Sequence, residues 1–404
     1  MKRFVCFSCC LISVVAVAQA QSDLRTDEIE AERESRLQTL APDRPGPLER
    51  RLEWLQHNRW TSGLLGGGDG LRLRLGGLAQ AQGFALGPTY TRSDLWGGRL
   101  AIRASARGST RKAYLVDFGA TLPHLAHGKA FVDLYTVHYD YPNMQFYGEG
   151  QRSSLNGRSV YRLENTSFEV RPGIRIFHGL TAGLIGSFQA INVGRGTNSS
   201  LGRTEQIYSD AQAPGLTNQG GFLQSGGYLQ YDWREEKSEP TSGGLYKAQY
   251  TVFSDLDLAT HSFNRLDLTV QQYLPLFNHK RVFAVQGTTT LTEAHAGNTV
   301  PFYLQPVAGG AETLRGFRPF RFYDDNSVVL NGEYRFEAGS SLDIALFVDG
   351  GKVFHRWEEL NLHGLQSDVG FGLRFKQQGQ LVLRIDTAFS HEGVQVWFRF
   401  RNIF

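Results

Sequence analysis

From residue 70 to the C-terminus, apolar and polar residues alternate with a period of two. In LRLRL (71 to 75) the leucines point one way and Arg72 and Arg74 the other. In RLDLTVQQY (265 to 273), Leu266, Leu268 and Val270 share a face opposite Arg265, Asp267, Thr269 and Gln271. SLDIALFVD (341 to 349) sets Leu342, Ile344, Leu346 and Val348 against Asp343, Ala345, Phe347 and Asp349. The final stretch, VQVWFRFRNIF, sets Val394, Val396, Phe398, Phe400 and Phe404 against Gln395, Arg399 and Arg401. Successive side chains of a strand point to opposite faces, so these segments read as strands with one apolar and one polar face.

The pattern predicts strands at about 70–76, 84–92, 99–107, 113–122, 129–139, 166–176, 180–190, 222–233, 244–254, 262–274, 280–291, 328–337, 341–349, 366–376, 380–390 and 394–404. That is sixteen, and single-chain bacterial barrels have an even number. A soluble sandwich also alternates, with its apolar faces turned inward. Three features favour a membrane barrel. The strands have the roughly nine to eleven residues that cross a bilayer, and aromatics fall near their ends (Tyr135, Tyr139, Tyr228, Tyr231, Trp233, Tyr246, Tyr250, Trp397). The polar faces also carry charges of both signs. Composition agrees: 404 residues with 46 glycines and 41% hydrophobic residues are short of material for a conventional core, and a polar interior removes the need for one.

The first residues place Lys2 and Arg3 before an apolar run from Phe4 to about Ala18, then Ala18-Gln19-Ala20, the form of a cleaved signal peptide over 1–20. That run is short for a bilayer span of about 20 residues. Cys6, Cys9 and Cys10 all lie inside it, so the mature chain would have no disulfide, thiolate chemistry or cysteine-bound metal. Removing Lys2 and Arg3 leaves 40 basic against 39 acidic residues, a balance that gives no reason to expect nucleic acid as a partner. Beyond this segment nothing approaches a transmembrane helix, so a membrane form must be a closed barrel, here over 62–404. Residues 21–61 read as a short helical extension, periplasmic or plugging the lumen, with Leu48, Leu52 and Leu55 on one face.

One connection, 292 to 327, is long, and long ordered loops are usually functional. It holds GGAETLRGFRPFRF (309 to 322), with Arg315 between Leu314 and Gly316 and with Arg318 and Arg321 close behind. LRGF at 314 to 317 resembles the (V/I)RGF motif of the BamA/TamA-type outer-membrane assembly factors, whose relatives include two-partner secretion transporters. GEYRF (332 to 336), FVDGG (347 to 351), YDWREEKSEPTSGG (231 to 244), SDVGFGLRF (367 to 375) and a terminal Phe404 are similar to the family's other motifs, in its order. The resemblance covers the barrel. It implies a structural latch in which Arg315, Gly316 and Phe317 fold back inside the lumen, Arg315 reaches Glu333 and Asp349, and Phe347 packs beside it. A guanidinium presents a rigid fork of donors that can bridge two carboxylates, and Gly316 allows close backbone approach or positive φ. Phe404 is the implied C-terminal barrel signal. The family also carries POTRA repeats before the barrel, for which 21–61 is too short.

No catalytic residue, cofactor or metal is expected. G-x-S-x-G is absent, against the phospholipase fused to some barrels of this family, as are H-E-x-x-H and Walker patterns. His124 and His127 fall in a short turn without a third ligand, and Asp324-Asp325-Asn326 reads as a solvated loop. The expected partners are outer-membrane lipid and unfolded outer-membrane protein clients, reached through a weak seam between the first and last strands; Gly66 to Gly70, Gly76 and Gly77 flank the first. The alternative is a passive pore without a client, biased toward anions by Arg72, Arg74, Arg103, Arg107, Arg171 and Arg175.

Overall fold

The structure is a computed structural model that describes residues 68–276, 280–339, 341–361, 363–377 and 380–400. The signal peptide, the 21–61 segment, the glycines before residue 68 and Phe404 lie outside the described residues.

Sixteen long strands follow one another: β1 (Gly70–Gly76), β2 (Ala85–Leu95), β3 (Leu100–Ser109), β4 (Tyr114–Leu125), β5 (Ala130–Phe146), β6 (Ser159–Phe177), β7 (Leu180–Arg195), β8 (Gly221–Asp232), β9 (Gly243–Asp255), β10 (Phe263–Leu276), β11 (Arg281–Ala294), β12 (Asn326–Gly339), β13 (Leu342–Phe354), β14 (Gln366–Gln377), β15 (Gln380–Ser390) and β16 (Gly393–Arg399). Each pairs antiparallel with the next, as a meander rolled into a nearly closed barrel. The expected strands are all present. The largest differences in extent are in β5 and β6, followed by β7 and β13; β5, β6 and β7 run past one end as 17, 19 and 16 residues, beyond the bilayer-crossing length, and support the long connections there.

The period of two sets the faces as read from the sequence. Leu346 and Val348 are 52% and 53% exposed while Phe347 and Asp349 between them are 5% and 0%. Val116, Phe168, Leu184, Val270 and Phe398 likewise turn outward, giving an apolar outer wall of the kind that faces hydrocarbon. The inner face carries Asp117, Gln271, Gln286, Asn331, Glu333 and Asp386, all buried. Gln271 Nε2 donates to Gln286 Oε1 at 2.8 Å, one of the bonds that satisfy this polar interior.

Not every aromatic near a strand end joins an outer girdle. Tyr246, Tyr250 and Trp233 are exposed on the outside, but Tyr135 and Tyr139 pack against the interior, with Tyr139 stacked on Tyr141 at 4.3 Å. The reason lies at the end with the long connections, where the molecule does build an apolar core. Tyr141, Met144, Phe146, Tyr161, Phe222 and Phe263 from the strands meet Leu216, Phe302 and Tyr323 from the connections. Phe146 and Tyr161 lie 5.0 and 4.9 Å from the Phe302 ring.

The barrel's first and last strands differ from the rest. Among the described residues β1 and β16 have seven residues each, and β1 pairs only with β2 and β16 only with β15. What crosses the seam is side-chain contact. A Cβ on Gly76 would lie 3.5 Å from the Phe400 ring, and the Phe84 and Phe400 rings meet edge-on at 6.2 Å.

Candidate functional site

The connection from β11 to β12 carries Leu314-Arg315-Gly316-Phe317, whose bonds and contacts reach residues of β12 to β16. Arg315 is fully buried. Its Nε and Nη2 donate to Asp349 Oδ2 and Oδ1 at 2.7 and 2.8 Å, and its Nη1 donates to Glu333 Oε2 at 2.8 Å. The backbone N–H of Arg315 adds a 3.2 Å bond to Asp349. The guanidinium carbon stands 3.4 Å from the centre of the Phe347 ring, which gives the charge a π face on its free side. Glu333 on β12 and Asp349 on β13 both occupy inward parity, and the register sets Glu333 opposite Phe347 and Asp349 opposite Asn331. One planar fork therefore bridges two strands, which a lysine ammonium could not do with the same geometry.

Gly316 is required by close approach, not by a left-handed backbone. A Cβ there would run into the Asp368 side chain and lie 2.9 Å from Ser390 Cβ. Its carbonyl accepts from Ser390 Oγ at 2.7 Å. Phe317 is buried with Leu314, Ala308, Phe322, Val329 and Val353.

The structure extends the site beyond the residues named from the sequence. Glu333 also accepts from Arg335 Nε and Arg374 Nη2, each at 2.9 Å. Arg374 and Arg384 converge on Asp386 at 2.5 and 2.8 Å, and Asp386 stands 3.8 Å from Arg315. Trp397 on β16 donates through Nε1 to the Arg315 carbonyl at 2.7 Å, while Arg399 pairs with Glu312. The network thus spans five consecutive strands and ends on the seam strand. The signal for the added residues was parity. In SDVGFGLRF, Asp368, Gly370, Gly372 and Arg374 share the face opposite Val369, Phe371 and Leu373. Gly370 makes room for the Phe347 ring, and Gly372 for Arg374 and Asp386. On its other flank the loop touches the β1–β2 connection, where Gln80 lies against Gly310.

Further along the same connection, Arg321 donates to Glu392 at 2.8 Å and to Ser153. Asp324-Asp325-Asn326 departs from the expected solvated loop: Asp324 is 8% exposed, and buried Asn326 accepts the Thr292 N–H at 2.8 Å, so the strand start uses these polar groups itself. Burial pushes the Asp324 carboxyl up to about 6, against the backbone N–H of Asp325, which holds it down. His124 and His127 join no group of three metal-binding side chains among the described residues. Of the arginines that would make a pore anion-selective, Arg103 and Arg107 both face Asp117, and Arg171 pairs with Glu169 at 2.6 Å.

A sixteen-stranded antiparallel barrel with a polar interior and an arginine connection bonded to its inner acids defines a large β-barrel of the outer-membrane type. The Omp85 superfamily domain matches residues 94–401, most of the chain, and the chain belongs to the Omp85 superfamily. Among solved structures it resembles BamA from Haemophilus ducreyi, crystallised without POTRA domains 1–3, with a TM-score of 0.62 and 16% identity over 82% of this chain and 69% of that one. It also resembles CdiB from Escherichia coli, with a TM-score of 0.56 and 12% identity over 81% of this chain and 61% of that one. At these identities the likeness is one of fold. A sequence search of curated proteins finds no match.

Proposed function

We propose that this chain is an assembly or translocation factor for outer-membrane proteins, acting in the bacterial outer membrane, to which a cleaved signal peptide delivers it. The barrel itself is the working part, and the Arg315 loop is latched in its lumen. The observation that carries the reading is the seam: among the described residues the first and last strands are each paired on one side only, which leaves edges to which a client strand can add by β-augmentation. The loop contacts both flanks of that seam, Trp397 on one side and Gln80 on the other, so its position governs how the flanks are held. The reading also rests on membership of the Omp85 superfamily, whose members handle outer-membrane protein clients.

The competing reading is a passive pore. Carboxylates stand beside three of its six arginines, Asp117 between Arg103 and Arg107 and Glu169 on Arg171, which lowers the positive charge that an anion-selective channel would use. Purified protein in liposomes of outer-membrane lipid composition tests the proposal. Faster folding of a second, unfolded barrel protein added to those liposomes supports it; unchanged folding together with steady single-channel conductance overturns it.

A further inference from the structure

Where the long connections meet, three of them bring metal-binding side chains to one place. His355 follows β13, Asp324 and Asp325 precede β12, and one ligand atom from each lies within 4.8 Å of the others. His355 Nδ1 stands 2.7 Å from Asp325 Oδ2 and 3.7 Å from Asp324 Oδ1. A third connection, between β5 and β6, adds Glu149, and Gln305 from the arginine-bearing connection reaches between them. Its Nε2 donates to Glu149 Oε1 at 2.6 Å and to Asp325 Oδ1 at 3.2 Å.

Gln305 is 6% exposed; its Nε2 is bonded to the cluster, while its Oε1 accepts no hydrogen bond among the described residues. A half-turn about its last bond gives up both Nε2 bonds and turns the unpartnered carbonyl oxygen to the space between Glu149 and Asp325, a loss that a cation bound there would offset. Beside the cluster opens a cavity of about 540 Å³, lined also by Lys352 and His363, which gives an ion a way in.

We propose that Asp324, Asp325 and His355, with Gln305 or Glu149 completing the set, bind a divalent first-row transition ion, with Zn²⁺ the best fit. One imidazole among carboxylate oxygens is the donor set that zinc accepts, whereas the hard cations Ca²⁺ and Mg²⁺ take oxygen alone. Ligands held about 2.0–2.2 Å from one centre stand at most about 4.4 Å apart, and the 2.7 and 3.7 Å separations of His355 from the two aspartates fall inside that limit. The ion would join three connections and fix the base of the segment that carries Arg315, a role separate from client handling.

The test is titration calorimetry of the full-length folded protein in detergent, stripped with EDTA and titrated with zinc chloride. The expected result is one Zn²⁺ per chain at micromolar Kd or tighter. His355→Ala and Asp325→Asn should each weaken it at least tenfold, while His127→Ala, at the opposite end of the barrel, leaves it unchanged. Heat-modifiable gel migration establishes that each variant is folded, and since His355 is exposed its replacement does not disturb a core. Absence of a saturable site, or equal affinity in wild type, His355→Ala and Asp325→Asn, overturns the proposal. So does a site that takes calcium chloride and is insensitive to His355→Ala.

Discussion

The indole N–H of Trp397 donates to the main-chain carbonyl of Arg315 at 2.7 Å, joining the last strand of the barrel to the residue at the centre of its inner network. The side chain of Arg315 faces β12 and β13 while its backbone is held from β16. The loop is thereby gripped from both sides at one residue.

Trp397→Phe keeps an aromatic ring and deletes the donor. Leaving a carbonyl short of a partner costs about 1–3 kcal/mol. The expected outcome is a lower unfolding temperature in detergent and faster proteolysis between 309 and 322, with the barrel still folded. Proteolysis at the wild-type rate would show that the bond does not hold the loop.

Arg315→Ala takes from buried Asp349 its guanidinium partner and from Glu333 one of three, and breaking such a buried pair costs on the order of 3–5 kcal/mol. Arg315→Lys is the sharper experiment. It keeps the charge but cannot bridge Glu333 and Asp349 in one plane, so its melting temperature should fall between those of Ala and wild type. Lys melting like wild type would mean that charge alone suffices.

Gly316→Ala should destabilise by about 1–3 kcal/mol, because the added methyl has no room beside Asp368 and Ser390. Gly108→Ala on β3 meets nothing within 4 Å and should melt as wild type. Equal melting of the two variants would remove close approach as the reason for glycine.

Cysteines at Gly76 and Phe400 probe the seam, since a Cβ on Gly76 stands 3.5 Å from the Phe400 ring; the positive φ of Gly76 strains that cysteine, so the pair is read only in protein shown to fold. A short bismaleimide should crosslink them in folded protein, and the crosslinked form should lose the proposed acceleration of client folding while remaining a barrel. Full acceleration after crosslinking would show that the seam does not part.

Much of this was legible in the sequence because membrane-type strands expose their parity: with lipid on one side and polar groups on the other, each residue's face follows from its neighbour's. That is how Glu333, Phe347 and Asp349 could be placed on one face before their contacts with Arg315 were seen. Parity says nothing about what crosses the interior, so Asp386, Arg384 and Trp397 were not assigned to Arg315. Nearness to a strand end misleads as well: Tyr135 and Tyr139 look like girdle residues by position, but they share the face of Asp133 and Val137 and pack on the apolar surface that the connections supply. Burial of Asp324 and Asn326 was unreadable because it depends on which distant connections come to rest over them.

The aromatic cluster over the long-connection end also ties together parts of the chain far apart in sequence. Phe302 belongs to the segment after β11, yet the rings it rests against, Phe146 and Tyr161, come from β5 and β6. A fragment that stops short of residue 302 lacks half of that lid, because its two halves lie on either side of five strands, β7 to β11. The lid thus fastens about one third of the barrel wall at its rim.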